Sequence, residues 1–354
     1  MVPKRRAFSR RRRLNLALQG GGAHGAFTWG VLDALLEKDI FDFEGVSGTS
    51  AGAVNAIALA SGLIENGPEG ARQCLHDVWS AISRSASPGA HPESILSLTP
   101  MAAIAGAVAQ TGLGHLTTNF SPYALNPLNI NPLRKILRER IDFVAIRQRS
   151  PVRLFIAATE VSSGEGRTFS TPEMTVDAVL ASACLPTLFP AVCIDGKHYW
   201  DGAFSANPDL LSLISKTGSH DTLLVQISPD LDAELPISAE KISAAVNRLT
   251  FNRPLKTQFA NIQLCRKMPM ALGFVSRTIR RMRKHRFHLI DGGDYLSTLQ
   301  ASSKVRPDWP LIADLRDEGR KMAHSWMKEQ GGDIGRRAGI DFNARYLEGP
   351  SVFD

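Results

Sequence analysis

Ser50 sits in Gly48-Thr49-Ser50-Ala51-Gly52, a G-x-S-x-G pentapeptide. A serine with small residues on both sides can present its hydroxyl to a substrate from a sharp strand-to-helix turn. A hydroxyl is a weak nucleophile at neutral pH and needs a base within reach. The side chains the chain offers for that task are His24, His76 and His198 and the acid Asp201 of Asp201-Gly202-Ala203. A second glycine-rich turn, Gly20-Gly21-Gly22-Ala23-His24-Gly25, has two chemical readings. As G-x-G-x-x-G it fits a dinucleotide pyrophosphate at a helix N-terminus, with Asp42 or Glu44 about twenty positions on as the ribose partner. As a backbone with few side chains it lets N–H groups converge beside the positive end of a helix, which is what an oxyanion hole requires. The non-catalytic readings are a glycine-rich turn with an N-capping serine for Ser50 and a turn-starting aspartate for Asp201.

The elements around these residues favour the catalytic reading of the serine. Leu14 to Gln19 is a short apolar run that ends in glycines, and Ala26 to Lys38 places Phe27, Val31, Leu32, Leu35 and Leu36 at helical spacing. Phe43 to Ser47 repeats the pattern: strand, then the Gly48 to Gly52 turn, then an apolar helix over Ala53 to Ala60 with hardly a charged face, as a buried helix requires. Two successive strand-turn-helix units predict a parallel sheet with right-handed crossovers, and Arg153 to Thr159 and Thr222 to Ser228 supply further buried strands. Between Val192 and Trp200 two short runs flank Asp195-Gly196, a tight-hairpin signal, and Asp201 leaves the end of that hairpin. The expected fold class is three-layer α/β/α with a mostly parallel central sheet and a helical C-terminal extension. Its helices are expected around Ala239 to Leu249, Arg277 to Arg286 and Leu311 to Glu329. The expected organisation is a basic leader over 1–13, a catalytic domain over 14–232 and the extension over 233–354. Residues 83–131, rich in Ser, Pro, Gly, Ala and Asn and including the apolar patch Met101 to Val108, read either as a lid over the site or as a structural loop-and-helix unit.

Three motifs in this order, G-G-G-x-x-G after the first strand, G-T-S-A-G about two dozen residues on and a distant D-G-A, resemble the patatin-like phospholipase family. The resemblance covers Leu14 to Leu211 in layout, with Ser182-Ala183-Cys184-Leu185-Pro186 similar to the family's segment ahead of its aspartate. It implies a Ser-Asp dyad without histidine: Ser50 attacks an ester carbonyl, Asp201 accepts its proton and returns it to the leaving alcohol, and water deacylates Ser50. It also implies that the N–H groups of Gly21, Gly22 and Ala23 hold the oxyanion, with Gly20, Gly25, Gly48, Gly52 and Gly202 shaping the turns, and that no metal or cofactor takes part. The family pattern has Arg or Lys where this chain has His24, which removes a fixed positive charge from the turn. Esters, thioesters, hydroxyacid oligomers and acyl transfer all share the acyl-serine route. A nucleotide-binding module at Gly20 to Gly25 and a non-catalytic basic scaffold are readings of other classes.

With 354 residues, of which 44% are apolar and 21% charged, the chain can bury an ordinary globular core. The net charge of +7 is concentrated in two clusters, Lys4, Arg5, Arg6 and Arg10 to Arg13, and Arg277 to Arg286. Both suit anionic surfaces such as lipid headgroups, and no zinc-finger spacing, zipper or aromatic RNA-binding signature accompanies them, so nucleic acid is not the expected partner. The four cysteines, Cys74, Cys184, Cys193 and Cys265, lack any C-x-x-C pair and read as free thiols. The apolar run after the leader is shorter than a signal-peptide core, and no window reaches the roughly 18 to 20 apolar residues that span a bilayer. The expected setting is therefore cytoplasmic, with peripheral contact to an anionic membrane and an acyl lipid as substrate.

Overall fold

The computed structural model describes residues 11–86, 121–228, 235–268, 276–299 and 301–348. Most of the expected insertion, including Met101 to Val108, and the first ten residues of the expected leader lie outside them.

Chain order through the first half is β1 (Arg12–Leu18), α1 (Gly25–Lys38), β2 (Phe41–Gly48), α2 (Ala51–Ala86), β3 (Arg153–Glu160), β4 (Gly166–Ser170), α3 (Val176–Ser182), β5 (Val192–Ile194) and β6 (Lys197–Asp201). It continues with α4 (Leu210–Lys216), β7 (Asp221–Gln226), α5 (Ala239–Lys267), α6 (Arg277–Lys284), β8 (Arg286–Asp291) and α7 (Trp309–Glu329). The eight strands form one sheet in the order β5-β6-β3-β2-β1-β7-β8, with β4 also on β3. The pairs β1-β2, β1-β7, β2-β3 and β7-β8 are parallel, and only β4 and β6 run the other way, β5 being antiparallel to β6. This is the mixed, mostly parallel sheet expected from the two strand-turn-helix units.

Alternation along the strands divides the core in two. Leu14, Leu16 and Leu18 of β1, with Leu154 and Ile156 of β3 and Leu223 and Val225 of β7, pack under α1, α2, α3 and α7. Ala17, Phe155 and Leu224 face the other way, against α4, α5 and the Phe342–Tyr346 helix. Both faces of the parallel strands are therefore covered, as parallel sheets require. Phe259 of α5 stacks on Phe342 and Tyr346 at ring separations of 4.9 and 4.7 Å. Helix α2 is broken at Asn66 and Gly67, where φ reaches −151° and +57°, and resumes at Pro68.

Two boundaries differ from the sequence reading. β1 begins at Arg12, inside the expected leader, because strand pairing uses only the backbone and the Arg12 and Arg13 side chains stay exposed. The helix expected over Arg277 to Arg286 ends at Lys284, and Arg286 opens β8, so the helical C-terminal part also donates an edge strand to the sheet.

That strand accounts for much of the second basic cluster. Arg286 makes two hydrogen bonds to Asp221, at 2.8 and 2.6 Å, and His288 a third, at 3.0 Å. Arg281 is buried and donates to the carbonyls of Ile214 and Ser219. Arg277, Arg280 and Lys284 remain exposed. Arg11 to Arg13, the described part of the first cluster, and Arg277 to Arg286 lie at the N-terminal ends of β1 and β8, which run parallel in one sheet, whereas Ser50 follows the C-terminal end of β2. No described helix is long and apolar enough to cross a membrane.

Candidate active site

Strand register brings the separate motifs to one edge. Leu18 is level with Gly48 on one side and Val225 on the other, so the turns after β1, β2 and β7 emerge side by side. Gly48 is level with Ile156 of β3, and Asp201 pairs with Ala158 two residues further along the same strand. The hairpin of β5 and β6, turned at Asp195 and Gly196 with φ of 51° and 76°, thus delivers Asp201 above the edge that carries Ser50.

Ser50 has φ of +54°, a left-handed backbone that a non-glycine residue rarely holds without support. The small neighbours make it possible, since a Cβ on Gly48 would run into the Gly52 carbonyl and one on Gly52 into the Leu18 carbonyl. Support comes from Ser182 at the end of α3, whose Oγ accepts the Ser50 N–H at 3.0 Å, and from the Thr49 hydroxyl, which donates to the Ala206 carbonyl at 2.7 Å. The strained turn then opens directly into α2, which places a helix N-terminus behind the half-buried Ser50 side chain.

The Ser50 hydroxyl lies beside the Asp201 carboxylate, near enough to favour its ionised form. Asp201 is 1% exposed. Its N–H donates to the Cys184 carbonyl at 2.8 Å, its carbonyl accepts the Thr159 hydroxyl at 2.9 Å and its Oδ1 accepts the Ala203 N–H at 2.8 Å. Burial pushes the carboxyl up to about 7, against the pull of the Ala203 N–H and the Ser50 hydroxyl, which favour the ionised form. A carboxyl pushed toward neutrality beside a hydroxyl has the chemistry of a general base.

The glycine turn lies across from Ser50, with an added Cβ on Gly20 falling 2.8 Å from the Ser50 Cβ. The Gly20 N–H donates to Asn207 Oδ1 at 2.8 Å and is thereby committed. Gly21 caps a single 3-10 turn over Gly22–His24 that runs into α1. The first N–H groups of such a turn have no partner within the helix. Gly21, Gly22 and Ala23 therefore open the turn at the positive end of α1.

His24 is fully buried, and burial, with the positive charge of Lys304 second, lowers its ring to about 4. It is neutral at physiological pH, and its Nε2 shares a 2.7 Å hydrogen bond with the Ser303 hydroxyl. His76 lies on the outer side of α2 against Trp29 and Trp309, and His198 is exposed on the hairpin opposite Cys193. The acids of the nucleotide reading are elsewhere too: Glu44 accepts the N–H groups of Gly218 and Ser219, and Asp42 is exposed at the start of β2.

Several residues at the site carried no motif. Gln19 accepts the Ile227 and Ser228 N–H groups at 2.9 and 2.8 Å and donates to Asn252 of α5 at 3.4 Å. Asn207, which holds Gly20, also donates to the Phe251 carbonyl at 3.2 Å. With Ser303 on His24, these bonds make the C-terminal part a wall of the site.

A serine on a positive-φ turn beside a buried acid, faced by a glycine turn at a helix N-terminus, is an arrangement compatible with serine acyl hydrolysis. Residues 16–214 match the patatin-like phospholipase family, and the chain belongs to that family of lipid acyl hydrolases. Comparison with curated sequences finds no match. Among solved structures the chain is similar to VipD from Legionella pneumophila, with a TM-score of 0.42 and 14% identity over 95% of this chain and 73% of that one. It is also similar to the type III effector protein ExoU, with a TM-score of 0.34 and 16% identity over 90% of this chain and 53% of that one. Against the ExoU-SpcU complex of Pseudomonas aeruginosa the TM-score is 0.32 at 15% identity, over 90% of this chain and 78% of that one.

Proposed function

We propose that the protein hydrolyses carboxylic esters of acyl lipids through a Ser50-Asp201 dyad. The observation that carries this reading is Ser50, held on a positive-φ turn beside the buried carboxyl of Asp201, which burial pushes up to about 7. As the Ser50 oxygen bonds to the ester carbonyl carbon, its proton passes to Asp201. The carbonyl oxygen becomes an oxyanion facing the N–H groups of Gly21, Gly22 and Ala23. Collapse breaks the bond to the alcohol, which leaves with the proton from Asp201, and the acyl group stays on Ser50. Water then attacks the acyl-serine, giving its proton to Asp201, and release of the fatty acid returns that proton to Ser50. Each oxyanion donor contributes about 3 to 4 kcal/mol in comparable sites.

Residues 14–232 carry both members of the dyad, and the part from 233 onward closes the wall around them through Asn252 and Ser303. The test is hydrolysis of a lipid panel together with labelling by a fluorophosphonate probe. Wild type turns over at least one acyl lipid and is labelled, whereas Ser50→Ala does neither. Full activity in Ser50→Ala refutes the assignment.

A further inference from the structure

One helix runs past the edge of the sheet that carries Ser50. α5 passes from Asn252, bonded to Gln19 just after β1, to Arg266, which donates to the carbonyl of His285 just before β8. β1 and β8 are parallel through β7, so α5 runs from the C-terminal end of the strands to their N-terminal end. Its first residues, Ala239 to Phe251, therefore continue beyond the Ser50 edge over about 20 Å, at a helical rise of about 1.5 Å per residue. Among the described residues of this stretch none is buried, and burial begins at Asn252. Ile242, Val246 and Leu249 share one side of the helix and are 46%, 54% and 52% exposed. Helical periodicity turns that side away from Leu255, Phe259 and Ile262, which pack into the core. Leu235 and Ile237, just ahead of the helix, are exposed as well, and so are Phe204 and Val305. Phe204, in the turn that follows Asp201, rests on Phe251 at 5.4 Å between ring centroids. Val305 follows Lys304, whose carbonyl packs on Gly22 so closely that a Cβ there would clash with it.

Ser238 caps the stretch by accepting the Lys241 N–H at 3.2 Å, but a helical segment of this length with no buried residue is marginal in water. A cover on its apolar side stabilises it, and the charge along it decides between covers. Lys241, Arg248, Arg253 and Lys256 outnumber Glu240. A second copy docked on the same stretch brings like charge against like charge. A lipid surface instead offers acyl chains to the apolar side and phosphates to the long basic side chains beside it. We propose that Ala239 to Phe251 of α5 docks the protein on a lipid surface, with Ile242, Val246 and Leu249 entering the acyl layer. This rests on the acyl-lipid reading of Ser50 and adds to it the place where the substrate's membrane is met. A surface that meets this stretch meets the molecule at the Ser50 edge, and not at the opposite end of the sheet where Arg11 to Arg13 and Arg277 to Arg286 lie.

The experiment is flotation of the full chain with vesicles of phosphatidylcholine, which carry no net charge for the basic clusters to seek. Ser50→Ala serves as the background so that the vesicles stay intact. The triple variant Ile242→Gln, Val246→Gln and Leu249→Gln leaves the charge unchanged and puts a good helix former at exposed positions, so the fold is retained. Its partition onto vesicles is expected to fall at least about tenfold, equivalent to about 1.4 kcal/mol. With Ser50 in place, kcat/KM on the vesicles falls by the same factor in the triple variant. Its kcat/KM on a water-soluble ester below the micellar concentration, and its labelling by a fluorophosphonate, stay at wild-type values. Unchanged flotation, no flotation of either protein, or an equal loss on vesicles and soluble ester overturns the proposal. Ultracentrifugation without lipid supplies a further outcome: a dimer that the triple variant dissolves assigns the stripe to self-association and overturns lipid docking. If no ester is turned over while flotation depends on the three residues, the catalytic reading fails and the docking surface stands.

Discussion

Replacing Asp201 by asparagine is expected to make the protein inactive and more stable at once. Its carboxyl is buried, and burial moves it from 3.8 to about 7. That difference corresponds to about 4 kcal/mol, at about 1.4 kcal/mol per pKa unit. The sign follows from proton counts. Between the unfolded and folded values the native state holds a proton that the unfolded chain has lost, so stability falls as pH rises through this window. Above about 7 the whole penalty of a buried carboxylate is present. Asparagine cannot ionise, yet its oxygen still accepts the Ala203 N–H and its amide can face Ser50. At pH 8 Asp201→Asn should therefore be more stable than wild type by up to about 4 kcal/mol, raising Tm by up to about 8 °C at about 2 °C per kcal/mol. Near pH 4 the two proteins should melt together, because the wild-type carboxyl is then protonated. At pH 8 kcat/KM should fall about 100- to 10,000-fold with loss of the base. Calorimetry at both pH values and a lipid hydrolysis assay read all three effects. A variant less stable than wild type at pH 8, or a Tm difference equal at both pH values, refutes the account of Asp201 as a group strained by its own ionisation.

Other perturbations separate the parts of the site. In wild type kcat/KM should rise with pH through about 7 as Asp201 ionises, and His24→Gln should leave that inflection in place because the ring is already neutral there; an inflection that disappears would make His24 the titrating group. Ser182→Ala strips the Ser50 N–H of its acceptor, and the expected result is a loss of about 1 to 3 kcal/mol in urea unfolding together with slower fluorophosphonate labelling. Gly202→Ala drives a methyl group into the Ala157 carbonyl, so destabilisation of about 1 to 3 kcal/mol and loss of labelling should appear together. Asp221 is subject to burial, which alone would raise it, but Arg286, His288 and the Gly335 N–H hold it well below the usual carboxylate range. Asp221→Ala should then cost about 3 to 5 kcal/mol at pH 7, and its difference from wild type should shrink as acid protonates the wild-type carboxyl.

The turn at Ser50 was legible in the sequence, because it follows a short apolar strand and is flanked by small residues at a fixed local spacing. Asp201, next to Trp200 at the end of β6, was singled out by the order of the three motifs rather than by its own surroundings. β8 was hidden because Arg277 to Arg286 reads as one charged helix, and the apolar run behind it, Phe287 to Ile290, is interrupted by His288, whose polarity is satisfied only by Asp221 sixty-seven residues earlier. Gln19, Asn207 and Ser303 bear no motif, since each acts by hydrogen bonds to partners that chain folding selects. Ser182 was marked by its segment, but its bond to the Ser50 N–H depends on the position of α3.

The docking of Ser303 and Lys304 on the Gly22–His24 turn has a consequence for synthesis. Ser50 leaves the ribosome early, but the residues that clasp the turn opposite it follow about 250 positions later, roughly 12 to 50 seconds at 5 to 20 residues per second. A nascent chain that already displays the serine elbow still lacks the clasp and the β8 edge. The complete site then waits for translation to pass Lys304, and a chain cut short before that point carries Ser50 without the turn held in place.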